Sequence, residues 1–566
     1  PTTLGSTGLE RAAGHAEPDA AVTTPTVPFG SPPPTVAGGT TASRPGLADP
    51  SRPLLPEDTG GSSLQHVDKA DRGKAGSDPG QEPRGDEFSN RPDAPWTAVR
   101  SEPTSTFSAD VDTASYAIVR RFLQSGRLPP AEAVRTEELL NYFDYDYAPP
   151  TDSRSPFMPT VAVYPAPWAA GVHVLHLGVR ALDVETGDRP PANIVLLVDV
   201  SGSMSPADRL PLAKSAFSLL VGQLQPTDSL AIVAYASGAK VVLPPTRLQD
   251  RSTILEAIAQ LRAGGSTAGA AGLQMAYQLS RVNYNPEGIN RIFLATDGDF
   301  NVGVSAPGGV AAYVAAQRSS GVFLSVLGFG TGNLHDRTMQ AIAQNGNGVA
   351  AYIDSLGEAR RVLVDQLSKT LAAVAKDVKF QVEFNAARVS SYRLIGYETR
   401  AMANQAFNDD RIDAGDVGSG HEVTALYEMV LAPTADDAPL RYAVPAAPSA
   451  SELAFVRLRY KGLASTESSL LERAVTAEDQ LADLDAASAD VRFAAAVSAF
   501  SRLLRHPSAA VAAMHSVRGL PFGLAQVRAL ADGARGADPD GARAELVALV
   551  GAAEALLLPR RTMRGD

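Results

Sequence analysis

NIVLLVDVSGSM, residues 193–204, reads in two halves. Ile194 to Val198 form an unbroken apolar run, the pattern of a strand buried on both faces of a parallel sheet. Asp199 to Met204 then turn polar and small, as the loop leaving such a strand does. Downstream the chain alternates. A helix over ADRLPLAKSAFSLLVGQL is followed by SLAIVAYAS and AKVVLPP, then by helices near 250–262 and 269–282. NRIFLATDG, a helix over GGVAAYVAAQRSS, GVFLSVLGFG, a helix from 334 and VAAYID continue it. An amphipathic helix over LGEARRVLVDQLSKTLAAVA, 356–375, closes the unit. Strand–helix alternation of this kind predicts an α/β fold: a doubly wound, mostly parallel sheet over 188–376.

On either side the periodicity changes. In DVKFQVEFN, Val378, Phe380, Val382 and Phe384 alternate with Lys379, Gln381 and Glu383, which predicts a half-buried antiparallel strand. SYRLIGYE, VTALYEMVLA and ELAFVRLRY read as three more strands within 377–462, and TVAVY and VHVLHLGVRAL as strands within 151–187. Together they predict one β-domain split around the α/β unit. His173 and His176, three apart in a strand, face opposite sides and cannot chelate one ion. Residues 96–150 read as a helical module, in which Tyr116, Val119, Phe122 and Leu123 share a stripe between an N-cap at Asp112 or Thr113 and a C-cap at Gly126. Residues 463–566 read as helical, with Phe493, Val497, Phe500 and Leu504 on one face and a further helix over ARAELVALVGAAEALL.

Composition bounds the rest. The chain has 566 residues, a formal charge of −12 and no cysteine, so disulfides, thiolate zinc sites and thiol catalysis are excluded. The acidic balance lacks the basic footprint of a nucleic-acid binder. No run of 18 apolar residues exists, so no membrane-spanning helix is predicted. Of the first 100 residues 28 are Pro or Gly, and the only aromatics before Trp96 are Phe29 and Phe88. Residues 1–95 are therefore expected to be a disordered tether. Pro1 in place of Met fits a processed leader, and with it a cell-envelope protein, or equally an arbitrary start.

In a doubly wound sheet ligands gather outside the carboxyl ends of the strands. Those ends carry Asp199, Ser201 and Ser203 in DVSGSM, Thr267 in GGSTAG and Asp297 in ATDG. Two carboxylates and three hydroxyls are hard oxygen donors, suited to Mg²⁺, with Mn²⁺ or Ca²⁺ as alternatives. Two Asp neutralise a divalent cation, and the neutral hydroxyls leave it electrophilic toward an anionic oxygen. The plain alternative is that these are turn and cap residues. Asp299 and Asn301 stand close by in sequence and read either as supporting groups or as solvated loop.

This constellation resembles the metal-ion-dependent adhesion site of von Willebrand factor A (VWA) domains. Asp199, Ser201 and Ser203 match the family's D-x-S-x-S motif, and Thr267 and Asp297 match its later Thr and Asp. The resemblance implies that the serines coordinate directly, that the aspartates act often through water, and that a Glu or Asp of a partner protein completes the octahedron. TFSADVDTASYAIVRRFL and AVRTEELLNYFDYDY are similar to the N-terminal extension of the YfbK-like family of bacterial VWA proteins. GYETR and NDDRIDAGDVGSGHEVTALYE are similar to that family's C-terminal region. Some members look like envelope lipoproteins, although the cysteine such an anchor needs is absent from this chain.

The leading expectation is a non-enzymatic, metal-dependent protein-binding protein in which a shift of the helix at 356–375 carries ligand state to the β-domain. A metal-dependent hydrolase is the rival, but DVSGS lacks the second Asp of a D-x-D pattern, GGSTAG lacks a phosphate-binding Lys, and only His335 offers a base. A scaffold or cofactor for an envelope or AAA-type ATPase complex is the third reading. Asp110 and Asp112 read as turn or cap residues, and Asp409, Asp410, Asp413 and Asp416 as a solvated turn lacking EF-hand spacing. The terminal Arg564–Asp566 tripeptide RGD reads as a chance match.

Overall fold

The computed structural model describes residues 86–557 except 90–91, 110–111, 153–154, 185–188, 268, 299–306, 318–319, 333, 367–370, 372, 413, 433–450, 464, 466 and 509–521. The tether expectation over 1–85, and the readings of Asp110, Asp299, Asn301, Asp413 and the RGD end, lie outside the described residues.

In chain order, β1 (Thr97–Ala98), β2 (Thr104–Ser108), α1 (Ala114–Gln124), α2 (Thr136–Leu140), β3 (Phe157–Pro165) and β4 (Val172–Ala181) come first. The alternating unit holds β5 (Ala192–Asp199), α3 (Leu210–Gln223), β6 (Ser229–Tyr235), β7 (Ala239–Arg247), α4 (Arg251–Gln260) and α5 (Gly269–Val282). It continues through β8 (Ile289–Thr296), α6 (Pro307–Gln317), β9 (Phe323–Phe329), α7 (Asp336–Asn345), β10 (Ala350–Ile353) and α8 (Leu356–Arg360). Then follow β11 (Ala373–Phe384), β12 (Val389–Ile395), β13 (Ala401–Met402), β14 (Gly415–Gly418), β15 (Glu422–Leu431), β16 (Glu452–Gly462) and β17 (Ser468–Thr476). Three helices end the described chain: α9 (Ala489–Arg505), α10 (Leu524–Gly533) and α11 (Ala542–Leu557).

The alternating unit is one six-stranded sheet, ordered β10-β9-β8-β5-β6-β7, parallel except for β7 at its edge. Every residue of β5 is buried, because the strand is paired on both edges and covered on both faces. Leu196 and Val198 pack with Phe217 and Leu220 of α3 and Ile254 of α4. Val195 and Leu197 pack with Leu273 of α5, Val314 of α6 and Ile342 of α7. That two-sided burial is why no polar residue interrupts the run until the strand ends.

Two antiparallel sheets lie outside this unit, ordered β1-β12-β15-β4-β3 and β13-β2-β11-β16-β17, with β14 added to β11. β4 pairs with β15 from Arg180↔Glu422 to Val172↔Val430, so strands from before and after the α/β unit share a sheet. Leu175, Leu177 and Tyr427 of one sheet meet Phe380, Val382 and Val456 of the other in a common core. A helical layer of α9, α10 and α11 packs with Tyr116, Phe143, Tyr164 and Leu426 in a second core.

Buried ion pairs tie these parts together. Arg120 on α1 pairs with Asp354 and Glu358 of the α/β unit, with Glu358 Oε2 at 2.9 Å, and with Glu545 of α11 at 3.3 Å. Arg135, just before α2, pairs with Glu138 and reaches Asp336 of α7 at 2.7 Å. Asp86 pairs with Arg121, and the Glu87 amide donates to the Leu334 carbonyl at 2.9 Å.

Several expectations need correction. Residues 86–89 and 92–95 are placed rather than tether; Asp86 and Glu87 attach through the bonds just given, and Phe88 packs against Phe122. The 96–150 segment is not only helical: Thr104–Ser108 pairs with β11. Nor is 463–566, since Ser468–Thr476 pairs with β16. The helix expected to 375 gives way four residues before 377, at Ala373, where Ala375 opposes Gly462 and Val417. Sheet pairing there overrides the helix propensity of an Ala-rich stretch. β11 is not half-buried either. It lies between β2 and β16, and Lys379 is fully buried, its Nζ donating to the Asp409 carbonyl at 2.8 Å and standing 3.4 Å from Asp377. Asp410 in the acidic loop is paired, accepting from Arg459 at 3.0 Å. Asp112 is buried and does not cap α1; it accepts from the Ala350 amide and from Arg400, each at 2.7 Å. Thr113 holds the N-cap position without a side-chain bond, and Gly126 follows the helix at φ +72.

His173 and His176 both lie in β4, and His176 is fully buried with Nε2 2.9 Å from the Tyr147 hydroxyl. Burial lowers its pKa from 6.5 to about 4. The unfolded chain therefore takes up a proton near pH 6.5 that the folded one refuses until near pH 4. This part of the stability is complete above pH 6.5 and lost as the pH falls toward 4. Between pH 7 and 4.5 the wild type should lose about 2 kcal/mol more than His176→Gln, measured by urea unfolding of both proteins at each pH.

Candidate metal centre

β5 ends on Asp199, and the chain turns at once. Asp199 Oδ1 accepts from the Ser201 amide at 2.8 Å, an Asx turn that sets the Asp-x-Ser geometry. A short 3₁₀ turn over Gly202–Met204 then brings the Ser201 and Ser203 hydroxyls to 2.9 Å from each other. Two backbone bonds fasten this loop to the next: Gly202 N to Gly265 O at 2.9 Å and Gly264 N to Val200 O at 2.8 Å. Thr267 follows two residues later and is half-buried. Gly265 sits at φ +88, and a Cβ there would stand 2.7 Å from Ser237 Oγ, so only glycine fits the crossing.

Asp297 directly follows β8, whose Ala295 lies opposite Val198 in the ladder. That register sets the two aspartates at neighbouring strand ends. Asp199 and Ser201 are buried, as is Asp297, while Ser203 is partly open. The fold thus brings Asp199, Ser201, Ser203 and Asp297 to one end of the sheet and ties the segment carrying Thr267 to the first loop.

The electrostatics are those of a place short of positive charge. Burial, with the nearby Asp297 charge adding to it, raises the Asp199 carboxyl to about 6 against hydrogen bonds from Ser201 and Tyr235. Asp199 Oδ2 is buried and makes no well-formed hydrogen bond, although the buried Tyr235 hydroxyl stands near enough to lower the carboxyl's pKa. A buried carboxylate oxygen left in that state costs free energy unless a cation or a proton satisfies it. The donor set fits a hard divalent ion: oxygen only, two carboxylates, hydroxyls beside them. Among the described residues no group of three or more His, Cys, Asp or Glu could hold a metal ion.

One residue of this site went unread in the sequence. Arg209, the residue before α3, forms an ion pair with Asp297 and donates to the Ser203 carbonyl at 2.8 Å and the Thr331 carbonyl at 2.9 Å. A signal did exist. A basic residue at a helix N-terminus opposes the helix dipole, so its place there needs another reason. His335, the one base considered, starts α7 with Nδ1 3.3 Å from Glu87.

Comparison with known proteins agrees with this geometry. A family model described as von Willebrand factor type A domain matches residues 194–299, and one described as von Willebrand factor matches 82–176. The alternating unit is thus of the VWA class. A third model, the C-terminal region of uncharacterized protein YfbK, matches 369–556. Uncharacterized protein YfbK of Escherichia coli strain K12 is 41% identical over 469 residues, covering 81% of this chain and 79% of that protein. The chain belongs to the YfbK-like family of VWA-domain proteins. Human inter-alpha-trypsin inhibitor heavy chain H4 is 26% identical over 204 residues, 35% of this chain and 22% of that one. Among solved structures, a von Willebrand factor type A protein from Catenulispora acidiphila is 17% identical, covering 73% of this chain and 89% of its own, with a TM-score of 0.39.

The loop crossing can be tested by itself. Gly265→Ala forces a side chain into the left-handed region against Ser237 and should cost about 1–2 kcal/mol. Gly238→Ala, where a Cβ meets nothing within 4 Å, should cost less than about 0.5 kcal/mol. Urea unfolding of the two variants beside wild type reads the difference.

Proposed function

We propose that this protein is a divalent-metal-dependent protein-binding module rather than an enzyme. Asp199, Ser201, Ser203, Thr267 and Asp297 hold Mg²⁺, or Mn²⁺ or Ca²⁺ in its place, and a Glu or Asp carboxylate of another protein completes the coordination. The observation that carries this reading is the buried Oδ2 of Asp199, which makes no well-formed hydrogen bond, beside two paired serine hydroxyls at the end of a fully buried strand. Membership of a VWA family supports it, because VWA domains typically mediate metal-dependent protein interactions. A cell-envelope location is part of the same proposal.

Metal binding confined to the folded state stabilises it by RT ln(1 + [L]/Kd), about 2.7 kcal/mol at a hundredfold excess over Kd. Mg²⁺ should therefore raise the melting temperature of the wild type relative to EDTA, and Asp199→Ala should abolish the rise. Equal melting curves for wild type in both conditions would remove the metal from the proposal.

Partner capture is read by pull-down with wild type and Thr267→Ala, each in Mg²⁺ and in EDTA. The expected partner is held only by wild type in Mg²⁺. Partners retained under all four conditions would place binding elsewhere on the molecule. A phosphatase and ATPase screen in Mg²⁺ should find no turnover; turnover lost in Asp199→Ala would replace the binding reading with a hydrolase.

A further inference from the structure

Arg209 is built into the metal face more thoroughly than an incidental ion pair would be. Its guanidinium contacts three loops at the carboxyl end of the sheet: Ser203 after β5, Asp297 after β8 and Thr331 after β9. Its side chain is 13% exposed, and that of Asp297 fully buried. Gly330, at φ +84, leaves room for it; a Cβ there would lie 2.4 Å from Arg209 Nε and 2.5 Å from its Cγ. The slot therefore exists only because residue 330 is glycine. The backbone of that glycine is itself held, its carbonyl accepting from the Tyr352 hydroxyl. A largely desolvated guanidinium is thus fixed against one of the two carboxylates proposed to bind the metal.

The charge count gives this meaning. The two aspartates alone would neutralise a divalent ion, and with Arg209 beside them they do not. The loaded centre carries one net positive charge until a monoanion arrives. We propose that Arg209 is a specificity-determining residue that weakens the empty centre's hold on a divalent metal and makes the metal-loaded centre demand an anionic oxygen ligand. This rests on the metal reading given above and deepens it. Metal and carboxylate then bind with positive coupling, each raising the other's affinity by the same factor. A captured carboxylate then has two cationic neighbours, the metal and the charge of the guanidinium held beside it. Such a centre stays poorly loaded until a partner is present.

Mn²⁺ binding followed by electron paramagnetic resonance, with and without excess acetate as the carboxylate probe, tests this on the full chain. Arg209→Gln should bind Mn²⁺ about tenfold more tightly than wild type without acetate, because a nearby positive charge is gone. The gain in Mn²⁺ affinity on adding acetate should be large for wild type and much reduced for the variant. Arg209→Lys keeps the charge and loses the fork; its Mn²⁺ affinity should stay near that of wild type. Equal Mn²⁺ affinities for wild type and Arg209→Gln overturn the inference and leave the metal site standing. An Arg209→Lys protein that behaves like Arg209→Gln also overturns it, since packing rather than charge would be at work. No Mn²⁺ binding by wild type or by Arg209→Gln overturns both the inference and the proposal beneath it.

Discussion

A single buried guanidinium, that of Arg120, joins three separate parts of the chain. It leaves α1 and meets Asp354 and Glu358 at the far edge of the VWA domain, the Tyr142 hydroxyl of the N-terminal region, and Glu545 on the last helix. Buried charges are tolerated only when paired, and breaking a pair strands its partner at a cost of about 3–5 kcal/mol. Arg135 repeats the arrangement on Asp336 of α7. The N-terminal region is therefore not an appendage of the VWA domain but the counter-charge for its closing helices. Moving α8 away from α1 breaks the Arg120–Glu358 contact and leaves a buried charge unpaired.

How much of this could be read in advance depends on where the deciding information lies. β5 was legible because burial on both faces favours apolar residues, leaving Ile194–Val198 without interruption. The convergence of Asp199, Ser201, Ser203 and Asp297 was legible because parallel strands end together, whereas Thr267, expected at a strand end, lies on the loop between α4 and α5 and is tied to the first loop through main-chain bonds of its neighbours. Lys379 was misread because its ammonium is met inside the fold by the Asp377 carboxylate and by the Asp409 carbonyl thirty residues away, and alternation alone reveals neither. The strand over Ser468–Thr476 was missed because its pattern is weak: it lies at a sheet edge, with Leu470 exposed and little apolar alternation to show. Ala373–Lys376 looked helical because propensity is local, whereas the decision came from Gly462 and Val417. Arg209 shows the same limit at the site, where the sequence lists donors but not counter-ions.

The candidate centre depends on main-chain bonds more than on side-chain packing. The D-x-S-x-S loop and the Thr267 segment are joined through Gly202, Gly264, Gly265 and Val200, none of which contributes a side-chain oxygen. Donors fixed by the backbone need not be reordered when a ligand arrives, which lowers the entropic cost of binding. The exception is the pair of serine hydroxyls, which hydrogen-bond each other and can rotate toward a cation without moving the loop.

The split antiparallel layers also impose an order of assembly. Thr424 pairs with Gly178, and Lys379 with Ser108, so both sheets need partners separated by roughly the length of the VWA domain. Closing so long a loop in an unfolded chain carries a large entropic cost and makes for slow pairing. A VWA domain already folded between those partners shortens the effective loop to the distance between its own two ends. During synthesis β2, and the edge of β4 not covered by β3, emerge before their partners exist and must wait bare until β11 and β15 follow. The nascent chain is most exposed to mispairing during that interval, which closes only when the last strands and helices have left the ribosome.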